Sequence, residues 1–98
     1  MAAYIIADVT VTDPATMDEY RKLVPGTLTP FGGRFIVRGG AHQTVEGDWK
    51  PNRLVVLEFP SMEQAKRWYD SEEYREPLAM RLRAGRTNLV MVEGIAPA

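Results

Sequence analysis

The stretch YIIADVTVTDPATM, residues 4–17, contains the two signals from which the fold prediction starts. Tyr4 to Val11 is rich in β-branched and aromatic residues and has no turn former, which predicts a strand. Asp13-Pro14 ends the strand and begins a helix, because Asp accepts hydrogen bonds from unpaired backbone N–H groups and Pro has no N–H to leave unpaired. The chain therefore starts with a strand that leads directly into a helix.

The first helix is predicted from a single apolar stripe with the 3.6-residue period of an α-helix. The stripe comprises Met17, Tyr20, Val24, Leu28 and Phe31. Pro25-Gly26 lies in the middle of this stripe and predicts a kink or a break, so that the segment forms one kinked helix or two short ones.

Glycine pairs and proline divide the rest of the chain. Gly32-Gly33 and Gly39-Gly40 enclose a strand predicted over residues 34–38, which a polar loop over 41–52 joins to a strand over 53–59. Ser61 and Gln64 form a capping-box pattern that begins a second helix, whose buried face is predicted to carry Met62, Ala65 and Tyr69.

The last part of the chain predicts one more short helix and a final strand. Ser71 with Glu72 and Glu73 is typical of a helix start, and a short helix is predicted over residues 77–83. A strand follows over residues 87–93. The resulting order, β-α-β-β-α-β, predicts an α+β ferredoxin-like domain over residues 1–98, with a four-stranded antiparallel sheet and helices on one face.

Strict alternation along the strands assigns residues to the two faces of this sheet. One face receives Ile5, Ala7, Val9, Val11, Phe35 and Val37. The other receives Tyr4, Ile6, Asp8, Ile36, Arg38, Leu54, Val56 and Glu58. A face in contact with solvent would be mostly polar, so the second face is predicted to pack against the same face of another copy, giving a homodimer.

Composition argues against several classes of protein. The chain has 98 residues, 45% hydrophobic and 26% charged, with 12 basic and 13 acidic side chains and a net charge of -1. This balance argues against nucleic-acid binding, which needs a basic surface. No signal peptide or membrane anchor is expected, and the chain is predicted to be cytoplasmic. With no cysteine and one histidine, no metal site is expected, and no motif indicates a cofactor.

The candidate site is built from charged residues on the second sheet face, which are costly to bury unless they pair or line a wet cavity. In the functional interpretation, Arg38 binds an anionic or carbonyl-bearing molecule beside Asp8, and Glu58 acts as acid or base. In the alternative, the same charges form a network that fixes dimer register. His42, the single histidine, is either a catalytic base or a hydrogen-bonding surface residue.

Aromatic residues supply the walls of the candidate site. Trp68 lies off the predicted stripe of its helix and is expected to lean toward a cleft together with Tyr74. Trp49, in the loop Gly47-Asp48-Trp49-Lys50-Pro51, requires a ligand or a subunit interface to cover it.

Four sequence motifs together resemble a bacterial family, number 1330 among the domains of unknown function, over residues 4–94. The motifs are GGRFIVRGG at 32–40, EGDW at 46–49, EFPS at 58–61 and WYxSxxY at 68–74. The resemblance implies a dimeric α+β barrel, in which two ferredoxin-like sheets pack face to face. That superfamily contains cofactor-independent monooxygenases, isomerases, haem enzymes and binding modules, so the resemblance implies no single reaction.

Two functions are consistent with these observations. In the first, the protein binds a small anionic or aromatic metabolite and acts on it without a cofactor, with Arg38 orienting it, His42 or Glu58 moving a proton, and Trp49, Trp68 and Tyr74 excluding water. In the second, it is a non-catalytic homodimer whose charged and aromatic residues build the interface.

Overall fold

The computed structural model describes residues 1–96, so the last two residues of the predicted domain lie outside the described part. The strands are β1 (Ala3–Val11), β2 (Arg34–Arg38), β3 (Leu54–Phe59) and β4 (Gly85–Glu93). The helices are α1 (Pro14–Leu28), α2 (Met62–Tyr69) and α3 (Glu72–Ala84), and a short 3-10 helix, Thr29–Phe31, follows α1. The predicted ferredoxin-like order is confirmed, with two helices between β3 and β4.

The four strands form one antiparallel sheet in the order β2-β3-β1-β4. All three helices begin at the predicted caps, because Asp13, Ser61 and Ser71 each accept a hydrogen bond from a backbone N–H in the first turn. The core lies between the helices and one sheet face, hereafter the inner face, and includes Ile5, Val24, Leu28, Leu57, Phe59, Ala65, Trp68 and Tyr74.

The structure shows no break at Pro25, one of the two predicted alternatives, and the predicted start of the last helix at Pro77 is wrong. α1 continues through Pro25 to Leu28, and α3 runs for 13 residues through Pro77 instead of starting there. A proline inside a helix removes one hydrogen bond to the carbonyl four residues earlier. Pro77 is buried on the packed side of α3, so its contacts with the core offset that loss.

The predicted buried face of α2 is also partly wrong. Ala65 is buried as expected, but Trp68 is 1% exposed, whereas Met62 and Tyr69 are only half-buried. The helix is therefore rotated toward Trp68, whose indole N–H donates to Thr27 Oγ1 at 3.0 Å in the core. Burying the large Trp68 ring, whose N–H has a hydrogen-bond partner, stabilises the fold more than fully burying Met62 and Tyr69 would.

A β-bulge in β2 overturns the predicted faces of two residues. Phe35 pairs with Leu57 as alternation requires, but Val37 pairs with Val56 and Arg38 with Val55, because an extra residue interrupts the register between Phe35 and Val37. Val56 belongs to the face away from the helices, hereafter the outer face, and Val55 to the inner face. Val37 therefore lies on the outer face and Arg38 on the inner face, the reverse of the prediction.

Candidate functional site

A cavity of about 50 Å³ lies between the inner face of the sheet and the helices. Apolar and aromatic side chains form most of its wall, among them Ile5, Ala7, Val24, Phe35, Val55, Leu57, Trp68, Tyr74 and Leu89. Its charged lining consists of four arginines, Arg21, Arg38, Arg53 and Arg81, and no acidic residue of the described chain lines it. The cavity is thus apolar in its walls and positive in its charge.

Arg81 is the buried cation of this cavity. Its residue is 5% exposed, and its Nε donates to the hydroxyl of Tyr74 at 3.2 Å. None of the ion pairs within residues 1–96 includes Arg81, and the Tyr74 bond is the single hydrogen bond of its side chain in that range. No carboxylate of the described residues therefore balances its charge, although a buried cation without an anion is costly.

Two tyrosine hydroxyls continue the polar group that begins at Arg81. The hydroxyls of Tyr20 and Tyr74 lie 2.7 Å apart. Burial raises the pKa of Tyr20 well above its usual value, so the phenol stays protonated. Burial opposes the charge of Arg81, but attraction to Tyr74 and Tyr20 outweighs it and keeps the pKa of Arg81 above its usual value.

The number of hydrogens in this polar group decides how many hydrogen bonds it can donate to a ligand. The two hydroxyls carry two hydrogens, and the bond between Tyr20 and Tyr74 uses one of them. That leaves one hydroxyl hydrogen, and the five N–H groups of Arg81 exceed the hydroxyl oxygens beside them. The buried end of the cavity is therefore a set of hydrogen-bond donors with a fixed positive charge, which suits an anionic oxygen.

The aromatic wall is held together by the cap of α3. Ser71 Oγ donates to the carbonyl of Trp68 at 2.7 Å and accepts from the N–H of Tyr74 at 3.2 Å. This brings the ring centroids of Trp68 and Tyr74 to 3.9 Å at an angle of 34°. Ser71 thus sets the position of the tyrosine hydroxyl that contacts Arg81.

Arg38 lies at the open end of the cavity, where it is exposed to solvent. Its Nη2 donates to the carbonyl of Arg21 at 2.8 Å, and its guanidinium lies 4.2 Å from the centroid of the Phe35 ring. Four residues after Arg21 comes Pro25, which has no N–H to donate back along the helix. The carbonyl of Arg21 therefore has no helical N–H donor, and the bulge in β2 places Arg38 where it can donate to this carbonyl.

The other predicted charges form a separate group on the outer face of the sheet. Asp8 accepts from Trp49 Nε1 at 3.0 Å and from the backbone N–H of Asn52 at 2.9 Å. The Trp49 bond lowers the pKa of Asp8 below its usual value; burial opposes this, and Asn52 and the nearby His42 add to the lowering. Asp8 therefore fastens the loop over residues 39–53 to the sheet.

Glu58 and His42 also have protein partners outside the cavity. Glu58 pairs with Arg34 on the neighbouring strand, with Arg34 Nη2 2.6 Å from Glu58 Oε1. His42 Nε2 lies 2.9 Å from the carbonyl oxygen of Pro51 within the loop. Neither residue lines the cavity.

The structure thus divides the predicted site between two places. Arg38, Trp68 and Tyr74 line the cavity on the inner face. Asp8, Glu58, Trp49 and His42 lie on the outer face or in the loop that covers part of it. Asp8, Arg38 and Glu58 were predicted to share one face, which is wrong for Arg38 because of the bulge.

The sequence matches the profile of a domain of unknown function, DUF1330, over residues 2–95. The chain belongs to the DUF1330 family. The predicted resemblance is confirmed, and its motifs can be placed: the bulge and Arg38 lie in the first, and the Trp68–Ser71–Tyr74 contact is the last. No curated protein matches the chain.

Solved structures similar to this DUF1330 chain share its fold. A protein of unknown function from Rhodopseudomonas palustris has a TM-score of 0.76 at 15% identity, covering 98% of this chain and 84% of that one. A dimeric ferredoxin-like protein of unknown function from Jannaschia sp. CCS1 has a TM-score of 0.71 at 14% identity, covering 96% and 100%. SnoaB, a cofactor-independent oxygenase from Streptomyces nogalater, has a TM-score of 0.67 at 10% identity, covering 98% and 95%.

Four polar residues of the DUF1330 cavity were missed by the sequence prediction: Arg21, Arg53, Arg81 and, as a polar group, Tyr20. A signal for Arg81 was present, since the buried residues of α3 are Tyr74, Pro77, Arg81 and Ala84, which follow helical spacing. An arginine at a buried position of such a stripe indicates a polar site. The sequence contains no such signal for Arg53, whose guanidinium lies against the backbone of Gly39, a residue distant in the sequence.

Within the described part of this DUF1330 chain, no helix is long and apolar enough to cross a membrane. Over the same residues, no three His, Cys, Asp or Glu side chains come together as metal ligands.

Proposed function

We propose that this protein binds a small organic anion in the cavity between its helices and the inner face, with an anionic oxygen of the ligand against Arg81. The observation that carries the proposal is the buried Arg81 guanidinium, which has no carboxylate partner within residues 1–96. Removing a cation from water costs several kcal/mol. A bound anion would offset this cost and accept hydrogen bonds from the guanidinium N–H groups.

The volume of the cavity limits what enters it. A water molecule needs about 10–15 Å³ of such volume, so a cavity of about 50 Å³ has room for roughly three or four waters. An apolar cavity that receives benzene is about three times larger, near 150 Å³. A carboxylate or another group of three or four heavy atoms therefore enters, while a larger body stays at the open end.

The donor set also supports an enzyme-like role without a cofactor. Donors aimed at an oxygen stabilise the charge that develops there when an enol or phenol ionises. Arg81 and the free tyrosine hydroxyl would lower the pKa of such a substrate. The Streptomyces protein of the same fold is described as a cofactor-independent oxygenase, so oxygenation without a cofactor is one activity to test here. The proposal assigns no proton transfer to His42 or Glu58, which lie outside the cavity.

A second proposal concerns self-association, because the outer face is apolar and exposed in the single chain. Val90 and Val92 on β4 are 56% and 45% exposed, and Ile36 and Val37 on β2 are exposed as well. A similar solved structure is described as dimeric. We propose that two copies pack their outer faces together, with Trp49 at the edge of the contact. In the non-catalytic alternative, this homodimer is the whole function.

The anion proposal is tested by titrating the protein with propionate and with its neutral analogue propionamide, following backbone and indole N–H signals by NMR. Propionate should shift the signals of Tyr74 and Trp68, and propionamide at the same concentration should not. Tyr74→Phe should weaken propionate binding about tenfold by removing the hydroxyl group between Arg81 and Tyr20. Equal shifts with both compounds, or none with either, would contradict the proposal.

A further inference from the structure

The open end of the cavity holds a second positive group, formed by Arg21, Arg38 and Arg53, hereafter the mouth cluster. Within residues 1–96, Asp18 is the one carboxylate paired with this cluster, at 2.9 Å from Arg21. Arg38 and Arg53 have no ion-pair partner in that range. The mouth cluster therefore keeps two uncompensated positive charges in a chain whose net charge is -1.

One of the two uncompensated guanidinium groups, that of Arg38, is held in place by the protein. Arg38 is fixed by the carbonyl of Arg21 and by the ring of Phe35. Arg53 lies against the backbone of Gly39, where a Cβ atom would overlap its guanidinium. Gly39 has a φ of +70°, which also favours glycine at this position. Side chains that are already ordered lose less entropy when a ligand binds.

The charges of the mouth cluster act on one another. Burial lowers the pKa of Arg53, and the positive charges of Arg21 and Arg38 lower it further. Like charges held this close are unfavourable in the empty protein, and an anion placed between them would relieve the repulsion. Planar guanidinium groups bind the oxygens of carboxylates and phosphates in pairs, which makes Arg38 and Arg53 suited to such a group.

We propose that the ligand of the cavity carries two acidic groups joined by a short segment. This rests on the proposed function: the first group, a carboxylate, binds at Arg81 and the tyrosine hydroxyls. The second, a carboxylate or a phosphate, binds Arg38 and Arg53 at the mouth. The enclosed volume of about 50 Å³ admits the first group with little more than its attached carbon, so the second group stays in the opening.

The test compares a monoacid with two diacids of matched length at constant ionic strength, by NMR titration of the full chain. The probes are propionate, succinate and 3-phosphonopropionate. Succinate or 3-phosphonopropionate should bind at least tenfold more tightly than propionate. An advantage for succinate identifies the second group as a carboxylate, and one confined to 3-phosphonopropionate identifies it as a phosphate.

Variants of the mouth cluster separate this inference from the proposed function. Arg53→Met should remove most of the affinity advantage of the diacid over propionate, and it keeps the contact of Arg38 with α1. Arg38→Met should act in the same direction. Arg34→Met is the matched control, because Arg34 lies on β2 with Arg38 but pairs with Glu58 on the outer face. This variant should change the affinity for neither propionate nor the diacid.

Two results overturn the inference, and they differ in what they leave standing. If propionate binds and neither diacid binds more tightly, or if Arg53→Met and Arg38→Met leave the advantage intact, the two-group ligand is wrong and the anion site at Arg81 stands. If no carboxylate binds at all, the proposed function fails and the inference fails with it.

Discussion

Both faces of the sheet carry charged residues among apolar ones. They differ in whether these charges have partners within the protein. On the outer face, Asp8 has two hydrogen-bond donors and Glu58 has an ion-pair partner. On the inner face, Arg81 is buried with one tyrosine as its partner, and no acidic residue of the described chain lines the cavity. Charges that the protein satisfies itself stabilise the fold, whereas charges left unsatisfied indicate a ligand. The comparison supports the proposals of a structural role for the outer-face charges and of ligand binding at the inner face.

The largest effect is expected from charging the outer face. Val90→Glu with Val92→Glu would place carboxylates where two copies are proposed to meet, and burying them unpaired is costly. The parent protein should sediment as a dimer in analytical ultracentrifugation, and the variant as a single 11.0 kDa chain. Leu82→Glu is the control, since Leu82 is 63% exposed on α3 and away from the sheet. A monomeric parent, or a variant that stays dimeric, would contradict the assignment of this face.

Removing the buried cation is expected to have a smaller effect, and to raise the free energy of unfolding instead of lowering it. Arg81→Met keeps the length of the side chain and removes an unpaired charge, so the free energy of unfolding should rise by about 1 kcal/mol while propionate binding is lost. Urea unfolding at fixed protein concentration measures the stability.

Arg83→Met serves as the control for the Arg81 variant. Arg83 is an exposed neighbour on the same helix, and its replacement should change stability by less than about 0.5 kcal/mol. A loss of about 2 kcal/mol in Arg81→Met would show instead that Arg81 supports the fold, as the outer-face charges do.

The smallest effect is expected from the pH dependence of the outer face. The pKa of Asp8 in the folded protein lies below its ordinary value of 3.8, because Trp49 and Asn52 donate to the carboxylate. As the pH falls below about 4, the unfolded chain binds the proton first, so the stabilisation from Asp8 is lost as the pH approaches its folded pKa. Asp8→Asn should therefore lose less stability than the parent between pH 5 and pH 3.

Urea unfolding at pH 5, 4 and 3 measures this difference. Asp13, whose pKa is lowered by the hydrogen bonds of Thr16 at the start of α1, contributes the same background in both proteins. Identical pH profiles of the parent and Asp8→Asn would show that the Asp8 contacts do not stabilise the fold.

The fold was largely predictable because its signals are local. Asp13, Ser61 and Ser71 cap the helices where the sequence places them, and the strands lie within two residues of their predicted bounds. The prolines at 25 and 77 misled the prediction, because each lost hydrogen bond is offset: the Arg21 carbonyl accepts from Arg38, and Pro77 is buried against the core.

The site was predictable only in part because it depends on pairing across the sheet. Arg38, Trp68 and Tyr74 were predicted to share one site, and all three line the cavity, but Arg38 was placed on the opposite face of the sheet. Alternation along β2 gives Arg38 the wrong face, and the sequence RFIVR contains no glycine or proline to mark the bulge. Arg81 was overlooked because its helical stripe was divided at Pro77.

The bulge in β2 has a consequence for comparing this chain with its relatives. In a pleated strand, whether a position is odd or even decides which compartment its side chain enters, so one additional residue reassigns every position after it. A relative lacking the equivalent of Ile36 would keep the same arginine in its sequence and present it to the outer face instead of the cavity. Such a protein would lose a charge from its cavity with no substitution at all.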